Sequence, residues 1–302
     1  MKLTFKNDTF KILQIADTQE GRKVSPDTLA LINAALDREE PDLVVYSGDQ
    51  IWGRGFHGDV NQVRRVLKEL TAPVVERHLP FAICFGNHDR QVGLDNRAQF
   101  EIYKEIPGFI GEDTPGVDGV GNCVLEIADG DRPGYLLYLI DSHSSLKVGY
   151  DHVHQNQIDW YRGVRDSYEK QYGHTIPSVV IQHIPVCEVF DLLTQVKKST
   201  KGAVQGFRTH AKEWFVLNRK RVDKEGFMKE SPADPQENSG EFDAFCEKGE
   251  VRACTSATTT TTPSTVTFAA LMWATPRVPG FMCTARDWIE VCAPLRCTET
   301  AA

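Results

Sequence analysis

FAICFGNHD, residues 81–89, is an apolar run that ends in a glycine and three consecutive polar side chains. Phe81 to Phe85 carry no charge and include an aromatic residue at each end, the pattern of a short strand buried on both faces. Asn87, His88 and Asp89 follow at once, so such a strand delivers an amide, an imidazole and a carboxylate to one edge of a sheet.

The same form recurs along the chain. FKILQIAD (10–17) ends on Asp17 with Gln19 two residues beyond, DLVVYSGD (42–49) ends on Asp49, and SVVIQHIP (178–185) carries His183. CVLEIAD (123–129) and YLLYLIDS (135–142) read as two more strands. Helical spacing fills the gaps in residues 25–40, with Ser25 as N-cap and Pro26 at the first helical position, and again in 60–78 and 155–172. Strands alternating with helices predict an α/β protein.

Composition narrows the function classes. A hydrophobic content of 41% and a charged content of 25% belong to an ordinary soluble domain. The net charge of −8 opposes a general nucleic-acid or anionic-membrane binder. No apolar run approaches the roughly 20 residues of a membrane span, and strand patterning begins too early for a signal peptide. The expected location is cytoplasmic. The eight cysteines are scattered or crowd the tail without C-x-x-C spacing, which predicts neither a disulfide framework nor a thiolate zinc site.

In open α/β sheets the carboxyl ends of strands are where ligands bind. Asp17 and Gln19, Asp49, Asn87 with His88 and Asp89, and His183 all fall at that edge. Carboxylates, amide oxygens and an imidazole converging there are hard-to-borderline ligands for divalent metals. Two such metals about 3.5–4 Å apart clamp a phosphoryl group and lower the pKa of a water between them. Each residue also has a plain reading, since Asp17 or Asp49 could cap a turn, Asn87 could supply one, and His183 could be a satisfied core histidine. Co-occurrence in order, each after an apolar strand, favours the shared site, and GNHD is the most specific element.

These segments resemble the calcineurin-like metallophosphoesterases, whose signature runs D-x-H, G-D, G-N-H-[DE], a lone His, then G-H-x-H. The resemblance spans about residues 8–254 and is nearest to the purple-acid-phosphatase-like and Dcr2-type branch. It implies a four-layer α/β/β/α sandwich and two divalent metal ions, drawn from manganese, iron, zinc or magnesium. It implies hydrolysis of a small phosphorylated substrate by a hydroxide that the metals activate. By position, Asp17 would bind the first metal, Asp49 would bridge, and Asn87 and His183 would bind the second. His88 would stabilise the phosphate or protonate the leaving oxygen, and Asp89 would orient its ring. A nuclease or cyclic-nucleotide phosphodiesterase would use the same chemistry.

Two departures bear on activity. Gln19 stands where the pattern has a histidine, and its harder amide oxygen should weaken the first metal and tilt it toward manganese or magnesium. No histidine follows His210, so G-H-x-H is missing. After EVRAC the chain reads TSATTTTTPST, with neither His nor Lys from Thr255 to Ala302. Ser-Ala-Thr-Thr-Thr can be encoded TCG-GCC-ACG-ACC-ACN, which in another frame reads GGC-CAC-GAC-CAC, that is Gly-His-Asp-His. The expected organisation is therefore a phosphoesterase domain over 1–254. A Thr/Pro/Cys-rich tail follows over 255–302, frameshifted or divergent, with no clear amphipathic element and a second sheet at risk of lacking its closing strands. If the tail is genuine, the chain is a non-catalytic relic of the fold.

Residues 196–240 are rich in Lys, Arg, Gly, Asn and Pro. They read first as a solvated excursion, with a basic flap over a phosphorylated substrate as the alternative. His143, His152 and His154 cluster in sequence, but their loop setting and the lack of a matching signature leave them outside the expected ligand set.

Overall fold

The computed structural model describes residues 2–53, 55–222, 226–257, 270–272 and 288–292. In chain order the elements of the first half are β1 (Leu3–Thr4), β2 (Thr9–Ile15), α1 (Pro26–Glu39), β3 (Leu43–Ser47), α2 (Val60–Glu76), β4 (Phe81–Cys84), α3 (Asn96–Lys104), β5 (Cys123–Asp129) and β6 (Arg132–Leu139). There follow α4 (Gln155–Tyr172), β7 (Ser178–Ile181), β8 (Leu193–Val196), β9 (Val204–Gln205), β10 (Trp214–Leu217), α5 (Glu241–Cys246), β11 (Val251–Ser256), β12 (Ala270–Met272) and β13 (Trp288–Cys292).

The starts of α1, α2 and α3 are capped by side chains. Ser25 accepts from Asp27 N at 3.2 Å, Asp59 accepts from Asn61 N and Gln62 N, and Asp95 accepts from Ala98 N at 2.7 Å. Helix α2 buries Val63, Val66, Leu67, Leu70 and Val74, the single stripe that its spacing predicts. Helix α3 was not foreseen, because its nine residues are too few to display a clear period.

Two sheets carry the fold. One has the order β13-β2-β3-β4, with β2, β3 and β4 parallel; the other has the order β1-β5-β6-β7-β11-β12, with β6, β7 and β11 parallel. Alternation along the strands sorts side chains into three cores. Leu13, Ile15, Val44 and Tyr46 pack with Ile32, Leu36, Val63 and Leu67 of α1 and α2. Phe10, Ile12, Leu43 and Val45 face Ile127, Leu137, Leu139, Val179 and Ile181 of the other sheet. Leu136, Tyr138 and Val180 pack with Ile158, Tyr161 and Phe245 of α4 and α5. The result is helices, sheet, sheet, helices, the mixed α/β sandwich expected.

The basic segment folds more than a solvated excursion would. It contributes to a small sheet of order β8-β10-β9, with Trp214 opposite Val196 on one side and Gln205 on the other. Two short strands are described in the tail. Strand β12 pairs antiparallel with β11, Ala270 beside Ser256, and β13 pairs antiparallel with β2, Trp288 beside Leu13. Both add at sheet edges, where unpaired backbone groups template a further strand without requiring an amphipathic pattern. The threonine run at 258–262 lies outside the described residues.

Among the described residues, Cys84, Cys123 and Cys254 are buried free thiols within strands, whereas Cys187 is half-buried and Cys246 is exposed at the end of α5. No described helix is long and apolar enough to cross a membrane.

Candidate metal centre

Residues expected at the site all follow strand ends. Asp17 and Gln19 lie just past β2, Asp49 past β3, Asn87 to Asp89 past β4, and His183 past β7. The turns that bring them there are tight. Asp17, Gln19 and Asp49 adopt positive φ of 54°, 44° and 55°, a conformation rare for residues with a side chain and concentrated at functional sites. Two glycines make the close approach possible. A Cβ on Gly48 would lie 2.3 Å from His183 Nδ1, and one on Gly86 would lie 2.3 Å from Asp49 Oδ1.

Asp17, Asp49 and His183 are buried, and their ligating atoms lie within 4.8 Å of one another. His183 is oriented through its other nitrogen, with Nδ1 2.9 Å from the Ser47 carbonyl oxygen, so Nδ1 carries the proton. Nε2, the remaining ring nitrogen, lies 3.3 Å from Asp49 Oδ2. Asp49 Oδ1 accepts from His88 N at 2.7 Å, which fixes its carboxylate plane. Burial works to raise the Asp49 pKa, but the His183 and His88 rings outweigh it and hold the carboxyl below its usual range. Burial likewise works to lower the His183 pKa, and the Asp49 carboxylate outweighs it, raising the imidazole to about 9.

Gln19 and Asn87 join the same edge through the backbone. Gln19 N donates to Asp49 O at 2.8 Å, and Asn87 is buried immediately before His88. The His88 side chain is about a quarter exposed, at 26%, with Nε2 3.9 Å from Asp49 Oδ2. Its ring packs on Trp52, centroids 5.2 Å apart, a neighbour that sequence reading missed because nothing marks an aromatic beyond SGDQ as a partner of GNHD.

Asp89 does not do what was expected of it. Its carboxylate accepts from three backbone donors, Gly86 N at 2.7 Å, Asp49 N at 2.9 Å and Ile51 N at 3.2 Å. His88 Nδ1 has no hydrogen-bond partner among the described residues. Asp89 thus ties the β3 and β4 turns together and leaves the ring of His88 to Trp52. Burial, then the charge of Asp49, pushes the Asp89 carboxyl up to about 6.

The donor set suits a divalent cation. Two buried carboxylates bring together negative charge that a hard or borderline cation would offset, and His183 Nε2 is the nitrogen donor beside them once its proton is displaced. Strand β11 then runs to the same edge, because Gln182 N donates to Thr255 O at 3.0 Å and Ala257 N donates to His183 O at 2.9 Å. Position 257 is therefore beside His183, where the family signature calls for G-H-x-H.

The family profile of the calcineurin-like phosphoesterases matches residues 10–253. The chain belongs to that family. Among curated relatives, probable inactive purple acid phosphatase 14 of Arabidopsis thaliana is 26% identical, covering 83% of this phosphoesterase-family chain and 66% of the relative. Phosphatase DCR2 of Saccharomyces cerevisiae is 29% identical, covering 65% of this chain and 38% of the relative. The chain thus spans between 38% and 66% of the length of these relatives. A crystal structure of a dimetal phosphatase from Danio rerio superposes with a TM-score of 0.52 at 12% identity, covering 94% of this chain and 99% of the other, which supports the fold.

Proposed function

We propose that the chain is a phosphoesterase that hydrolyses small phosphate esters at a centre of two divalent cations. The observation that carries this reading is the convergence of buried Asp17, Asp49 and His183 at the strand ends of a calcineurin-like fold. Asp17 and Gln19 would hold the first cation, Asn87 and His183 the second, with Asp49 between them. When bound, the cations supply charge neutralisation for the phosphoryl group and a nucleophile at neutral pH.

The chain's own residues supply the rest. Asp49 is kept ionised by its two histidines, so it is ready to bind without first losing a proton. His88, unlike the fully buried His183, is partly open to solvent, which suits it to meet the phosphate and to hand a proton to the leaving oxygen. Asp89 acts as a positioning residue, since it bridges the turns that carry Asp49 and His88. Arg208, from the basic segment, places its guanidinium 4.1 Å above the Tyr150 ring. Burial raises the Tyr150 pKa, and the Arg208 guanidinium works against it.

The test is metal-dependent release of p-nitrophenol from the monoester and from the bis ester. The parent chain should turn over with manganese, and Asp49→Asn should abolish turnover. Persistence of turnover in Asp49→Asn would remove the site assignment, while preference for the bis ester would favour a diesterase or nuclease.

A second reading is a relic without activity, favoured by the absence of any histidine after His210. Residues from about 255 onward would be a frameshift product if the coding DNA holds Gly-His-Asp-His in another frame. Sequencing across codons 250–265 separates the two: an indel there supports an active parent, and an intact frame supports the relic.

A further inference from the structure

Neither ring nitrogen of His88 is held by a hydrogen bond among the described residues. Nδ1 is buried with no partner, and Nε2 lies 3.9 Å from Asp49 Oδ2, beyond hydrogen-bond reach. Asp89, the next residue in sequence, has its carboxylate taken up by the amides of Gly86, Asp49 and Ile51. An imidazole that is partly open to solvent and tied by neither nitrogen moves between rotamers unless packing holds it. What packs on it is Trp52, with ring centroids 5.2 Å apart and 49° between the planes.

The backbone around Trp52 is itself fixed by its neighbours. Trp52 N donates to the Glu20 carbonyl oxygen at 2.9 Å, next to the bridge between Glu20 and Ile51. One residue before, Ile51 N donates to Asp89 Oδ1 at 3.2 Å. One residue after, Gly53 passes so close to the turn Asp89–Val92 that a Cβ there would collide with the Gln91 carbonyl oxygen. The loops after β2, β3 and β4 thus clamp the residue that carries the indole. Trp52 and His88 are both half-buried, so the ring pair stands at the rim of the centre, outside the hydrophobic cores.

We infer that Trp52 is the positioning residue for His88, fixing the tilt of the imidazole by aromatic contact and leaving both ring nitrogens available to the substrate. The inference rests on the phosphoesterase reading of the centre. A carboxylate partner would fix the same ring by occupying one nitrogen, and Asp89 is not placed to do so. The consequence is kinetic. A displacement of about 1 Å at a reacting group can lower a rate by about 100-fold. Loss of the indole therefore acts on kcat, through His88, and leaves the ligands Asp17, Asp49 and His183 in place.

The kinetic test is a double-mutant cycle on the full chain, with manganese and p-nitrophenyl phosphate. Trp52→Ala should lower kcat by about 10–100-fold with little change in KM, and Trp52→Phe should recover most of the loss. In the His88→Ala background, Trp52→Ala should lower kcat no further. Trp52→Leu, which keeps apolar bulk without a ring, is the second variant and should behave as Trp52→Ala, with circular dichroism confirming that each chain is folded. Equal losses in the two backgrounds would overturn the inference. Histidine-selective NMR of the chain with magnesium reads the same ring without turnover. A parent chain with no turnover would therefore defeat the phosphoesterase reading, and the NMR would still decide the positioning role. The His88 Cε1–H signal, assigned by its loss in His88→Ala, should be ring-current shifted and ordered in the parent and in Trp52→Phe. It should be mobile and unshifted in Trp52→Ala and Trp52→Leu. An unchanged His88 signal in those folded variants would overturn the inference.

Discussion

The molecule holds two groups of imidazole and carboxylate, and the fold secures them by opposite means. At the strand ends, Asp17, Asp49 and His183 are buried, and they are set by backbone contacts: the Ser47 carbonyl for His183, the His88 amide for Asp49. On the loop, His143, Asp151 and His154 are half-exposed and set by side chains, Gln157 and Asp118. Burial makes charge compensation obligatory at the first site, where His183 and Asp49 shift one another's protonation strongly. At the second, burial works to lower the His154 pKa, and its bonds to Asp118 and Asp151 raise it instead, but solvent screens the pair. The group on the strand ends is closely packed and intolerant of added atoms, whereas the loop group is held by side chains that are open to solvent.

That contrast can be broken in three ways. His88→Ala should cause the largest loss, a fall in kcat of about 10²–10⁴, because it removes the exposed acid beside the buried ligands. A change confined to KM would make His88 a binding residue only. Gly86→Ala should destabilise by about 1–3 kcal/mol in a urea melt, since its Cβ would meet Asp49 Oδ1 at 2.3 Å. A neutral Gly86→Ala would mean that the strand-end site tolerates strain as the loop does.

The smallest effect concerns pH in the metal-free protein. His183 is raised from 6.5 to about 9 on folding, so its pairing with Asp49 stabilises fully below about pH 6.5 and is lost as pH rises through about 9. Stability of the chelated chain should decline across that window, and Asp49→Asn should flatten the decline. An identical slope in both chains would show that the pair does not govern it. His154 should add a shallower component of the same sign, since it is raised but partly exposed.

Much of the first site was legible because its residues follow apolar runs whose period is that of a buried strand. SGD, GNHD and IQHIP each announce a turn after a strand, and parallel strands must present their ends together. Contacts formed between distant stretches were not legible. Trp52 against His88 is of that kind, and so is Asp89 bracing Asp49 and Ile51 through their backbone amides. The contacts around the loop histidines are of the same kind. Asp118, Asn122 and Gln157 lie 36, 35 and 14 residues from the partners they meet or bridge. The strands β12 and β13 escaped notice because an edge strand satisfies backbone groups and leaves little pattern in its side chains.

The most direct test of the central claim is equilibrium dialysis of the chelator-treated chain against manganese, followed by electron paramagnetic resonance of the bound ion. The parent should retain manganese, and Asp49→Asn should lose it or bind at least about 100-fold more weakly. Equal manganese content and affinity in the two chains would contradict the placement of the centre at Asp17, Asp49 and His183.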